Sequence, residues 1–527
     1  MRKIKLIAFF FAFVLPFSLF SENVNMEQLG ADTTGKSLNT ELINNTINKL
    51  YSNGGGTLYF PSGTYLTGAI RLKSNITIEL EAGATLLFSD NFDDYLPFVE
   101  MRYEGVVMNS FSPLLYAVDE ENITIKGRGT IDGQGEKWWK EFYRIIIDLK
   151  DNGKRNLNEY QTMWDKANDV DMLYAKTNSD YIGTLDRRFF RPPLLQAIRC
   201  NNIMVEGIKI VNSPFWTFNP EFCDNITVKG ITINNPPSPN TDGINPSSCS
   251  NVHISDCHIS VGDDCITLKS GRDEQARDYG VPCENITITN CTMLSGHGGV
   301  VIGSEMSGDV RKVTISNCVF DGTDRGIRIK STRGRGGIVE EIRVSNVVMK
   351  NIKKEAIIMN LFYSKMDPEP VTERTPIFRN IHISNLTGSE VNTAINIFGL
   401  EEMPVYDITL DNINIESKHG VLIDKAKNLV MRDVRIDNEM GVPFKIANSE
   451  NIMINNIWTG KPISDKPLIG ANDINGMFIQ GCFPLMGGKS FIKLDGENKD
   501  VVLKGNYLNR LPQVVDSQSK SKSIIIE

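Results

Sequence analysis

The sequence predicts an all-β chain: a single-stranded, right-handed parallel β-helix with an amphipathic helix capping its N-terminal end. Two observations carry this reading. First, a short phrase recurs, Asn followed by alternating apolar and polar residues. It stands at Asn75 (NITIEL), Asn122 (NITIKG), Asn202 (NIMVEG), Asn225 (NITVKG), Asn251 (NVHISD), Asn285 (NITITN), Asn380 (NIHISN), Asn428 (NLVMRD) and Asn451 (NIMINN), with variant copies beginning at Lys312, Glu341 and Asp407. Second, its closest copies are spaced like solenoid turns: 23 residues from Asn202 to Asn225, 26 from Asn225 to Asn251 and 23 from Asn428 to Asn451. Strict alternation means a strand with one buried face. A strand repeated at that interval buries the face only by stacking on its neighbours, which also pairs its backbone in parallel ladders. The LxxLxL pattern of a leucine-rich solenoid is missing. Asn at each strand start suits a left-handed turn, and stacked Asn side chains can bond from one turn to the next.

In chain order, residues 1–21 read as a signal peptide. Arg2, Lys3 and Lys5 precede an uncharged apolar run from Leu6 to Phe20, and Ser21 is a small residue at the expected cleavage point. The run is short for a membrane span of about 20 residues. No cysteine follows it, which argues against a lipid anchor, and no second long apolar stretch follows in the mature chain, 22–527. An exported protein, periplasmic or secreted, is expected. Leu38, Leu42, Ile43, Ile47, Leu50 and Tyr51 have helical spacing ahead of Gly54-Gly55-Gly56, and this segment is expected to cover the open end of the solenoid. Residues 137–190, with Trp138, Trp139 and Trp164, break the repeat and read as an insertion or long loop within one catalytic domain. The polar stretch from Ser517 to Ser523 reads as frayed.

Charge and cysteines narrow the function. A formal net charge of −8 lacks the basic footprint that nucleic acid requires. The nine cysteines include no close CxxC pair, so zinc has no support. Cys257, Cys291 and Cys318 follow Asp or Asn in similar contexts, which fits small buried side chains stacked inside turns better than a disulfide framework.

Chemistry concentrates between residues 240 and 330. Asp242 lies in Asn240-Thr241-Asp242-Gly243, and 21 residues later come Gly262-Asp263-Asp264-Cys265. That spacing places the two motifs at similar positions on adjacent turns, about 4.8 Å apart along the axis. Consecutive aspartates point to opposite sides of a strand, so both reach one cleft only at a bend, which Gly262 permits. Crowded carboxylates raise at least one pKa and leave a proton in the cluster near neutral pH. A protonated carboxyl beside ionised ones is the requirement of glycoside hydrolysis. The plainer alternatives are turn chemistry and a calcium site. His297 follows in Gly296-His297-Gly298-Gly299, and Arg325, Arg328, Lys330, Arg333 and Arg335 form a local basic cluster. Arg328 and Lys330 are two apart and share a strand face, where they can hold a carboxylate. Arg333 and Arg335 read as a solvated basic face.

These motifs, NTDG, GDDC, GHGG and RIK in that order, resemble glycoside hydrolase family 28, the polygalacturonases, whose members share the pectin-lyase-like solenoid. The resemblance extends to Asp132-Gly133-Gln134-Gly135 and to Ser213-Pro214-Phe215-Trp216. It implies that Asp263 is the general acid, that Asp242 and Asp264 activate the hydrolytic water, and that His297 tunes the acid. It further implies that Arg328 and Lys330 bind a galacturonate carboxylate, with Tyr363 as a substrate-contacting residue. The expected partner is a pectic galacturonide, with no cofactor and no metal. The family inverts at the anomeric carbon, for which acid and base ordinarily stand about 6.5–9.5 Å apart. Fungal endo-acting members usually carry Gln where Gly262 stands, and the local sequence is closer to bacterial, often exo-acting members, so exo action is expected. Other readings are a hydrolase of rhamnogalacturonan-type galacturonosyl linkages, a calcium-dependent pectate-lyase-like enzyme with Arg328 or Lys330 as base, and a non-catalytic carbohydrate-binding β-helix.

Overall fold

A computed structural model describes residues 22–152, 158–177, 179–517 and 522–526. The signal-peptide reading therefore lies outside the described residues. The chain winds into a parallel β-helix whose successive turns stack strand on strand. One apolar column runs Ile78, Ile125, Val205, Val228, Ile254, Ile288, Ile315 and Val344, each the register partner of the next. These side chains are buried, so the alternating residues of the phrase fill the interior and the polar ones face solvent.

The Asn that opens each phrase does what its chemistry allows. Asn75, Asn122, Asn202, Asn225, Asn251 and Asn285 all have φ between 55° and 61°. Lys312, Glu341 and Asp407 of the variant copies adopt the same left-handed geometry. Side-chain amides link neighbouring turns: Asn122 donates to Asn75 at 2.8 Å and Asn202 to Asn122 at 2.7 Å. The nine cysteines are buried free thiols, as stacking predicted.

Helix α1, Thr40–Ser52, is the expected cap. It buries Ile43, Thr46, Ile47 and Leu50 against the first turn. The segment 137–190 is not an irregular loop. It forms α2 (Glu136–Asn152), α3 (Glu159–Ala167), α4 (Val170–Ala175) and α5 (Ser179–Leu185). Trp138, Phe142 and Ile145 repeat at helical spacing and are buried, a periodicity masked by the charged residues between them. Trp138 packs among Phe92, Phe111 and Phe189. Of the stretch read as frayed, Ser517 ends a strand, Val515–Ser517, and Lys522 and Ser523 begin another, Lys522–Ile526, paired with Lys499–Lys504; residues 518–521 lie outside the described residues. Among the described residues no helix is long and apolar enough to cross a membrane.

Four strands carry the functional face: β1 (Asp264–Leu268), β2 (Gly298–Ile302), β3 (Ile327–Lys330) and β4 (Glu355–Asn360). They stack in parallel, with Ile266 over Val300, Val300 over Ile327, and Ile327 over Ile357.

Candidate active site

The predicted residues converge. Asp242, Asp263, Asp264, His297, Arg328, Lys330 and Tyr363 all line one cavity of about 520 Å³. A carboxylate oxygen from each aspartate lies within 4.8 Å of the others.

Local backbone explains the convergence. Asp263 stands in the bend before β1 and Asp264 is its first residue, so the pair straddles a change of direction. A Cβ on Gly262 would lie 2.2 Å from the Ser238 carbonyl oxygen, so only glycine lets this bend approach the turn below. The next turn is similarly constrained: a Cβ on Gly296 would meet the Asp263 carbonyl oxygen at 2.5 Å, and one on Gly299 would press on the Phe320 ring at 2.8 Å. His297 is thereby held over Asp263. Its backbone N–H donates to the Asp263 carbonyl at 2.7 Å and its Nδ1 lies 3.0 Å from Asp263 Oδ1.

The three carboxylates have different surroundings. Asp264 is buried; Lys330 Nζ donates to its Oδ2 at 2.8 Å and Arg328 to its Oδ1 at 3.3 Å. Burial pushes its pKa up, but Lys330, Arg328 and Lys269 outweigh this and hold it at about 2. Asp242 is also buried, and there burial, reinforced by the charge of Asp263, pushes the carboxyl well above its usual range. Asp263 is the most open of the three, with its side chain 19% exposed. Of the buried pair, Asp242 is therefore pushed toward the protonated form while Asp264 is held ionised. The Asp263 hydrogen bond, with burial opposing it, raises the His297 pKa above its ordinary value.

Arg328 and Lys330 are directed at Asp264 rather than at open solvent, and Tyr363 lies above both, its ring centroid 5.6 Å from the guanidinium and 5.4 Å from the ammonium. Arg333 and Arg335 do not form a solvated face. Arg333 pairs with Glu402 at 2.5 Å and Arg335 with Asp273 at 2.6 Å, both largely buried. Sequence reasoning missed them because their acids come from distant turns.

It also missed Lys269 and Glu305, which pair at 2.7 Å in the cavity wall, with Lys269 Nζ 4.6 Å from the Trp216 ring. Burial lowers the Lys269 pKa, but Glu305, Asp242 and Asp264 lift it above its ordinary value. A usable signal existed for Lys269, a lone cation that directly follows the largely apolar Cys265-Ile266-Thr267-Leu268. The helical insertion reaches this cavity too. Thr184 lines it, and buried Arg191 donates to the Asn240 side chain at 2.8 Å and to the Pro239 carbonyl at 2.6 Å.

Three clustered carboxylates are a possible cation cage, but the donor set fits one poorly. Both oxygens of Asp264 are already bonded to cations, and Lys269 adds a third positive charge beside Asp242. The arrangement suits proton transfer and water activation better.

Comparison with known proteins agrees with this chemistry. The family model for glycosyl hydrolases family 28 matches residues 184–422. A probable polygalacturonase of Vitis vinifera is 30% identical over 420 residues, spanning 78% of this chain and 76% of the relative. An exo-poly-alpha-D-galacturonosidase of Dickeya chrysanthemi is 28% identical, spanning 82% and 74%. The crystal structure of a hyperthermoactive exopolygalacturonase from Thermotoga maritima superimposes with a TM-score of 0.67 at 36% identity, covering 78% of this chain and 91% of that one. Fold and site together define a β-helical glycosidase. The chain belongs to glycosyl hydrolases family 28.

Proposed function

We propose that this enzyme releases galacturonate from the non-reducing ends of pectic galacturonan. The observation that carries the reading is the single cavity in which three carboxylates, His297 and the Arg328–Lys330 pair meet beneath Tyr363. Asp263, the carboxyl most open to the cavity, donates to the glycosidic oxygen. In the reacting complex the proton sits on Asp263 and Asp242 is ionised, so that acid and base are distinct groups. Asp242 and Asp264, at the cavity floor, then orient and deprotonate the attacking water. Their burial favours reaching the sugar through that water over direct bonding to the anomeric carbon, which supports inversion. The nearest-oxygen separation, within 4.8 Å, is tighter than the spacing of ordinary inverting pairs. Arg328 and Lys330 have Asp264 as one partner and, with Tyr363, offer a cationic wall to the leaving unit's carboxylate. Exo action is supported by the similarity to exo-acting relatives and by the insertion, which brings Thr184 into the lining of the cavity. Export follows from the reading of residues 1–21.

The test is digestion of de-esterified oligogalacturonides by the mature protein in a chelator, with Asp263→Asn as control. Saturated monomer from the first time point, absent with the variant, is the expected result. Proton NMR of the fresh product should show the anomer opposite to that of the substrate linkage. An unsaturated product that requires calcium would replace this reading with a lyase.

A further inference from the structure

A second cavity, of about 610 Å³, lies beside the first on the same face. Register places it. Lys330 pairs with Asn360, Asn360 with Phe398, and Phe398 with Asp424, one residue per turn. Lys330 lines the catalytic cavity, and the other three line the second. The two are also joined through one loop, where Tyr363 and Ser364 face the first and Phe362 and Lys365 the second. Phe398 thus lies two turns beyond Lys330, about 10 Å along the axis. This is the direction of the C-terminal turns, and under the exo reading a chain with its end seated in the first cavity leaves along it.

The two cavities differ in charge. The first is lined by seven cationic and five acidic residues. The second is balanced: Arg333, Lys365 and Lys425 against Asp367, Glu401 and Asp424. Two of its cations are already paired, Lys425 with Asp424 at 3.1 Å and Arg333 with Glu402. Its exposed aromatic is Phe362, 45% exposed, with the Arg333 guanidinium 5.3 Å from the ring centroid. Phe398 supplies a second ring. A wall of apolar rings with no surplus positive charge is poor at holding an ionised uronate and suited to the apolar face of an uncharged sugar.

The geometry points to a subsite for an uncharged pyranose unit on the leaving-group side, either a neutral sugar or a methyl-esterified galacturonate. This rests on the exo reading above and narrows it. The enzyme trims galacturonate from chains whose next units toward the reducing end are not all ionised.

The experiment compares kcat/KM on digalacturonate, on tetragalacturonate, on tetragalacturonate methyl-esterified at its two reducing-end units, and on a tetramer with a neutral deoxyhexose third from the non-reducing end. The uncharged tetramers should exceed plain tetragalacturonate by about tenfold, the discrimination one apolar contact supplies. Which of the two does so identifies the source of the neutral ring. Phe362→Ala, at an exposed position, should lower the ratio of esterified tetramer to digalacturonate by about tenfold. Glu401→Lys, which adds positive charge to an exposed rim, should move the preference toward plain tetragalacturonate. Equal use of all tetramers, a preference for the ionised one, or a Phe362→Ala loss equal on dimer and tetramers would overturn the subsite. If digalacturonate and every tetramer resist hydrolysis, the exo reading itself fails, a result distinct from loss of the preference alone.

Discussion

Lys330 Nζ lies 2.8 Å from Asp264 Oδ2, although the two residues belong to strands two turns of the helix apart. The long lysine reaches back across the turn that carries His297, so the site is assembled along the axis rather than within any one loop. Arg328 does the same, and together they keep Asp264 ionised where burial alone would protonate it.

Lys330→Met should therefore strip Asp264 of its strongest partner. Leaving one member of a buried pair uncompensated typically costs about 3–5 kcal/mol. A lower denaturation midpoint and a kcat loss of about 100-fold are expected. A variant of unchanged stability and activity would mean that Asp264 is neutral in the native site.

Asp263→Asn should fold normally, because the side chain is partly exposed and its main partner is a ring nitrogen of His297. Its kcat should fall by about 10²- to 10⁴-fold. The same change should lower the His297 pKa toward the ordinary imidazole value, read by NMR titration, since Asp263 is the main cause of its elevation. A merely structural Asp263 would leave kcat in place.

The stability of the site should depend on pH in two opposed ways. Asp264 has a depressed pKa, so the unfolded chain binds more protons. Its contribution is present above the unfolded value of about 3.9 and is lost as pH falls toward about 2. Asp242 has a raised pKa, so the folded chain binds more protons and stability declines as pH rises from about 3.9 into the neutral range. Asp242→Asn should accordingly be inactive yet more stable than wild type at pH 7, with the advantage disappearing near pH 4. Urea denaturation at the two pH values checks the sign.

The turn residues make a separate prediction. Asn225 has φ 57°, so Asn225→Ala should cost about 1–2 kcal/mol from left-handed geometry, while Asn225→Gly should cost less. Equal losses in both would place the cost in the lost side-chain ladder instead.

The β-helix was legible because its signal is repetitive. Each copy of the phrase states the same buried face and the same turn, and even Lys312 and Glu341 adopt the geometry that Asn favours elsewhere. The capping helix was legible from Ile43, Ile47 and Leu50. The insertion was not, because charged residues separate Trp138, Phe142 and Ile145 and helical spacing is harder to see than a gap in the repeat. At the site, spacing placed Asp242 against Asp263, while the glycines announced close approach around His297.

The sequence by itself determined that the chain is a solenoid, which residues line its interior, and that Asp242, Asp263, Asp264, His297, Arg328 and Lys330 come near one another, since a fixed repeat converts separation along the chain into position along an axis. Only the tertiary structure decided what each does electrostatically. Asp242 is pushed toward the protonated form and Asp264 is held ionised because of burial and of cations that arrive from other turns, and Arg333 and Arg335 leave the surface because Glu402 and Asp273 await them. The physical reason is that burial and the distance between charges set a pKa, and neither is a property of neighbours in sequence.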